Sequence, residues 1–115
     1  MKTYNMKLMT EYFEYIKYGT KRIELRLNDE KRRKLKIGDE IIFEEAIDNP
    51  RYLKTKIIDL YHEESFNDII DKFDISLFAD KEITKEELIN ILNKIYPIEK
   101  QKEYGVIGIR IELEN

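Results

Sequence analysis

The chain has no cysteine, no tryptophan, one histidine, two prolines and four glycines in 115 residues. Without cysteine there is no disulfide, no thiolate nucleophile and no thiolate metal site. The lone histidine, His62, removes histidine triads and most zinc sites, and it reads as a strand-end residue. No apolar run approaches the roughly 18 residues of a membrane-spanning helix, and the N-terminus shows no apolar leader core. The carboxylate pairs Glu44-Glu45 and Glu63-Glu64 alternate across a strand or sit in a loop, without the convergence that a metal site needs. A cytoplasmic protein with no membrane segment, metal or cofactor is therefore expected. No linker, repeat or low-complexity tract appears, so residues 1–115 are expected to form one domain with a buried core.

Charge is abundant instead. Charged residues make up 39% of the chain and apolar residues 42%, with a net charge of −3. From Lys17 to Lys36 nine basic residues meet three acidic ones, so this segment carries +6 and the rest −9. An acidic protein with one concentrated basic segment steers a polyanion to one place. Within that segment, Lys31 to Lys34 are either a non-specific backbone contact for a nucleic acid or a solvated face.

The apolar periods place the elements. Met6 to Leu8 reads as a short strand, and Thr10 as the N-cap of a helix with Met9, Tyr12, Phe13 and Ile16 at helical spacing. Gly19 stands where a left-handed residue ends that helix. From Lys21 to Leu27 the period becomes two, with Ile23, Leu25 and Leu27 on one face and Arg22, Glu24 and Arg26 on the other. Asn28 to Lys36 is a charged connection, Gly38-Asp39 a tight turn, and Glu40 to Glu45 and Leu53 to Tyr61 two further strands. Ser65 with Asp68, and Thr84 with Glu87, open two helices; Asp74 to Glu82 links them and Pro97 stops the second. Ile98 to Tyr104 reads as a polar loop and Val106 to Leu113 as the last strand. Several links are too short for a crossover helix. The expected fold is α+β: a small, mixed, mostly antiparallel β-barrel, partly closed and flanked by helices.

The run Gly19-Thr20-Lys21-Arg22-Ile23-Glu24-Leu25-Arg26 resembles the G-x-K-x-x-E-x-R signature of the ASCH family, whose fold is a PUA-like barrel. Ile37-Gly38-Asp39-Glu40-Ile41 and the pair Tyr96-Pro97 fall at family-like distances, so the resemblance spans nearly the whole chain. It implies RNA binding, or an RNA-linked role, with the motif lining a cleft in the barrel. One small bacterial branch of the family hydrolyses the acetyl amide of N-acetylcytidine with a lysine, a threonine and a glutamate. The lysine falls on Lys21; Glu24 stands in place of the threonine; the glutamate falls at Lys81-Glu82.

The residues themselves allow both roles. Lys21 contacts a phosphate, or is desolvated and acts as base or nucleophile. Glu24 and Arg26 share a strand face, where the guanidinium forks onto a phosphate or base edge while the carboxylate orients it or accepts from a base amine. Lys21 is out of phase with them and converges only if the chain bends after Gly19. Tyr15 and Tyr18 flank the motif as stacking surfaces for an unpaired base. The expected ligand is RNA or a nucleotide, bound by Tyr18, Lys21, Arg22, Glu24 and Arg26. The alternative is a small amidohydrolase on a modified nucleoside, with Lys21, Glu24 and Glu82 as its catalytic groups. The oligomeric state is open.

Overall fold

Five strands and four α-helices form among the residues that the computed structural model describes, 1–79 and 82–114. In chain order they are β1 (Thr3–Leu8), α1 (Thr10–Lys17), β2 (Ile23–Leu27), β3 (Glu40–Glu45), β4 (Tyr52–Glu63), α2 (Phe66–Ile70), α3 (Lys85–Ile95), α4 (Ile98–Tyr104) and β5 (Val106–Leu113). Single 3-10 turns at Arg32–Lys34 and Ile75–Leu77 lie in the links.

The strands build one sheet in the order β1-β3-β4-β5-β2. β1 runs parallel to β3, and the other three pairings are antiparallel. The long strand β4 carries a register shift between Ile57 and Asp59, the kind of bulge that bends a strand and lets its sheet curl. The result is the expected α+β half-barrel flanked by helices. β1 and β2, at opposite ends of the sheet order, curl round to face each other.

Side-chain alternation fills two cores. Ile107, Ile109 and Ile111 of β5 point into one with Ile41, Phe43 and Ile57 of the sheet and Phe13 and Ile16 of α1. Ile23 and Leu25 of β2 point into the other with Phe66 and Ile69 of α2, Leu88 and Leu92 of α3, and Phe78. Gly108 lets α2 approach the sheet, since a Cβ there would stand 3.1 Å from Ile69 Cγ2 and 3.3 Å from the Tyr61 ring.

Three local expectations change. Thr10 is not the cap of α1; Met9 holds that place without a side-chain bond, and the Thr10 hydroxyl bonds the buried Glu45 carboxylate instead. The 98–104 segment is a helix, not a loop. Pro97 precedes it with φ −55°, and it is held by Gln101, whose Nε2 donates to Asn93 Oδ1 at 2.9 Å and to the Tyr96 carbonyl at 2.8 Å. A helix docked through a buried amide leaves little apolar period to read. The second strand starts at Ile23 rather than Lys21, because the Arg22 N–H donates to the Leu77 carbonyl at 2.7 Å, outside the ladder.

Candidate functional site

The site begins with the end of α1. Gly19 adopts φ +82°, its N–H donates to the Ile16 carbonyl at 3.1 Å, and the Thr20 N–H donates back to Tyr15 at 3.0 Å. These two bonds form a Schellman ending, and a residue with a Cβ would strain it. The Lys21 N–H also donates to the Tyr15 carbonyl at 3.0 Å, so Lys21 belongs to the turn and not to the strand. That bend removes the phase conflict and turns its side chain inward.

Lys21 is 3% exposed. Its Nζ lies 2.8 Å from the Ile23 carbonyl, 2.7 Å from the Phe78 carbonyl and 3.1 Å from Glu24 Oε1. Three acceptors match the three protons of an ammonium; a neutral amine has only two to give. Burial pushes the Lys21 ammonium below the usual lysine value, and the Glu24 charge opposes it.

Glu24 is the hub. Its Oε1 also accepts from the Leu25 N–H at 3.3 Å, and its Oε2 accepts from Arg26 Nε at 2.8 Å, with Nη2 in ion-pair contact at 2.7 Å. Burial alone raises a carboxyl's pKa, but the two cations and their hydrogen bonds outweigh it and hold Glu24 at about 2. Arg26 is raised: burial works against its charge, and the Glu24 carboxylate overrides that. Arg26 Nη2 then donates to the Lys7 carbonyl at 2.9 Å, tying the edge of β2 to the edge of β1.

Between those two edges lies a cleft of about 280 Å³. Lys7 and Leu8 form one wall, and Glu24, Leu25 and Arg26 the other. Leu88, Ile91, Leu92 and Ile95 of α3 supply an apolar side. Tyr12 of α1 and Tyr96 at the end of α3 complete it with two phenols. The Lys21 ammonium lies 5.7 Å from the Tyr12 ring centre. Burial, with the Glu11 and Glu24 charges, keeps the Tyr12 phenol above its usual value, so its hydroxyl remains a proton donor.

The structure therefore gathers Lys21, Glu24 and Arg26 and leaves the other candidates outside the cleft lining. Arg22 is exposed and its Nε donates to the Gly19 carbonyl at 2.9 Å. Tyr18 is 75% exposed, with the Lys17 ammonium over its ring. Glu82 is exposed, and Lys81 lies outside the described residues. Tyr15 meets Tyr12 edge-on and donates to Glu11 at 2.7 Å. In the basic turn, Arg32 pairs with Asp29 at 3.1 Å and Arg33 Nε donates to the Asn28 carbonyl at 2.9 Å. Among the described residues no group of three His, Asp or Glu side chains is placed to hold a metal.

Nothing in the sequence marked Lys7, Tyr12 or the side of α3 that lines the cleft. Tyr12 has the helical spacing of a core residue, and nothing local marks it. For Tyr96 the signal was present in Tyr96-Pro97, which reads only as a helix end until the fold brings it beside Arg26, whose charge acts on its phenol.

An ASCH domain model matches residues 6–115. The chain belongs to the ASCH domain family. It is similar to the crystal structure of hypothetical protein PH0355, with 37% identity and a TM-score of 0.85 over 99% of this chain and all of that one. It is also similar to the solution NMR structure of protein PF0455 from Pyrococcus furiosus, with 35% identity and a TM-score of 0.76 over 98% of this chain and 97% of that one. No curated protein matches the chain. Membership fits the geometry: in this ASCH domain the lysine, glutamate and arginine of the signature are the three side chains that meet at the cleft.

Proposed function

We propose that this ASCH domain is an RNA-binding module that takes one unpaired nucleotide into the cleft between β1 and β2. The observation that carries the reading is the Lys21–Glu24–Arg26 cluster at the head of an apolar, tyrosine-bearing cleft. RNA readers hold splayed bases against aromatic and apolar surfaces and fix them with a few polar groups. Here Tyr12, Tyr96 and the α3 side chains supply the surfaces. Glu24 already accepts from the Leu25 N–H and Arg26 Nε and is ion-paired with the Lys21 ammonium, so its role is to aim Arg26 rather than to read a base. Arg26 Nη1 makes none of these bonds, which leaves it to contact a ligand.

The test is fluorescence anisotropy of a labelled single-stranded oligoribonucleotide at two salt concentrations. Binding that weakens with salt is expected, and Arg26→Ala costs at least about tenfold, the weight of one charge-assisted hydrogen bond. No binding at low salt, or equal binding by Arg26→Ala and Tyr12→Ala proteins, overturns the proposal.

The amidohydrolase reading draws on the same Lys21, because a buried lysine of lowered pKa suits a base or nucleophile. Three features weigh towards binding instead. All three Lys21 protons are engaged, Glu24 stands where the hydrolytic branch has threonine, and Glu82 is outside the cleft lining. Release of cytidine from N-acetylcytidine in proportion to enzyme would reverse that judgement.

A further inference from the structure

We infer that the cleft is built for an anion: its ligand is a phosphate ester on a compact, flat or apolar body, the chemistry of a nucleoside monophosphate. The inference rests on reading the cleft as a nucleotide site, and charge balance carries it. Lys21 and Arg26 line the cleft against one carboxylate, Glu24, while Lys7, also in the lining, is paired with Glu44 at 3.6 Å. The hydrogen bonds around Lys21 Nζ fit only the charged amine, and a guanidinium is always charged. Two cations buried with one carboxylate leave one positive charge uncompensated beside Leu8, Leu88 and Ile91. Such a charge is unfavourable unless something completes it.

Neighbouring groups do not complete it. Asp29 is matched by Arg32 at 3.1 Å, and Glu44 lies 3.6 Å from Lys7 but outside the cleft lining. Lys21 has no proton left for a ligand, so it serves as fixed charge behind Glu24. The contacts an anion would take are Arg26 Nη1 and, in exchange for its exposed pair with Glu44, the Lys7 ammonium, whose side chain is 75% exposed. The Tyr96 phenol adds a neutral donor in the same lining. A neutral nucleoside would leave the charge as it is; a phosphate monoester, or a phosphodiester within a strand, neutralises it.

The experiment is isothermal titration calorimetry on the full chain with the four nucleoside 5′-monophosphates, the four nucleosides, inorganic phosphate and a hexameric oligoribonucleotide. At least one monophosphate is expected to bind about tenfold or more tighter than its nucleoside. Inorganic phosphate, lacking the body, binds more weakly than that monophosphate. Lys7→Glu, on an exposed side chain, narrows the preference several-fold; Arg26→Gln abolishes it if that protein folds. Equal affinity for monophosphate and nucleoside, or a preference untouched by Lys7→Glu, overturns the inference. The arms also separate it from RNA binding. Oligoribonucleotide binding without a monophosphate preference leaves the RNA reading standing and sinks this one. A monophosphate preference without oligoribonucleotide binding does the opposite and points to a free nucleotide.

Discussion

Two buried glutamates sit in opposite surroundings. Glu24 is 6% exposed and Glu45 is 1% exposed, and each carboxyl is held at about 2. At Glu24, one carboxylate lies between two cations, Lys21 and Arg26. At Glu45, one cation lies between two carboxylates: Arg51 forks onto Glu45 with Nε at 2.9 Å and Nη2 at 3.0 Å, and also pairs with Glu14. The Arg51 guanidinium covers the Phe13 ring at 4.9 Å, and its side chain is 44% exposed. Water therefore screens the surplus charge of the Glu45 cluster, while the surplus at Glu24 faces an apolar cleft. Burial and a depressed pKa mark both places equally. What distinguishes a candidate site from a structural clamp is the sign of the imbalance and the space in front of it.

The largest effect that sharpens this comparison comes from removing each carboxylate. Glu24→Gln leaves Lys21 and Arg26 buried without a counter-charge and should cost about 3–5 kcal/mol in urea unfolding. Glu45→Gln leaves Arg51 with Glu14 and with solvent, so its midpoint shift should be clearly smaller. Equal losses would erase the distinction. Next in size is the response to acid. Both carboxyls lie near 2 when folded, against 4.5 ordinarily, so between those values the unfolded chain binds more protons. The stabilisation is complete above pH 4.5 and drains away as pH falls towards 2. Thermal melts from pH 6 to pH 2 should show that loss, and Glu45→Gln should retain the part that belongs to Glu24. The smallest expected effect is that of Tyr18→Ala, which removes an exposed ring outside both clusters. It should leave the melting midpoint and ligand affinity within error, whereas Tyr12→Ala weakens binding. A Tyr18→Ala loss as large as that of Tyr12→Ala would move the site out of the cleft.

What the sequence revealed followed the range of the forces involved. The Ser65 and Thr84 caps and the Gly19 ending are bonds across three to five residues, and they were legible. The partnership of Glu24 and Arg26 was legible too, because a strand puts alternate residues on one face. The rest of the cluster was not. Lys21 is completed by the Phe78 carbonyl and Arg26 by the Lys7 carbonyl, 57 and 19 residues away, and no local pattern encodes them. Thr10 has the chemistry of a cap, yet Glu45, reached through the sheet, takes its hydroxyl. The tyrosines show the same limit. Tyr15 and Tyr18 are nearest the motif in sequence, but the helical turn sends Tyr12 to the cleft.

The gap between the β1 and β2 edges also bears on how copies of the chain meet. A strand edge with unpaired backbone groups invites pairing with another molecule and, from there, fibre growth. This sheet turns its two terminal edges towards each other, with Arg26 bridging them and α3 beside the gap. Further along β1, the basic turn runs past, and Tyr4 donates to the Lys34 carbonyl at 3.3 Å. Clustered lysines and arginines beside an edge repel a second copy of the same edge. The basic turn therefore puts like charge where a second β1 edge would have to dock.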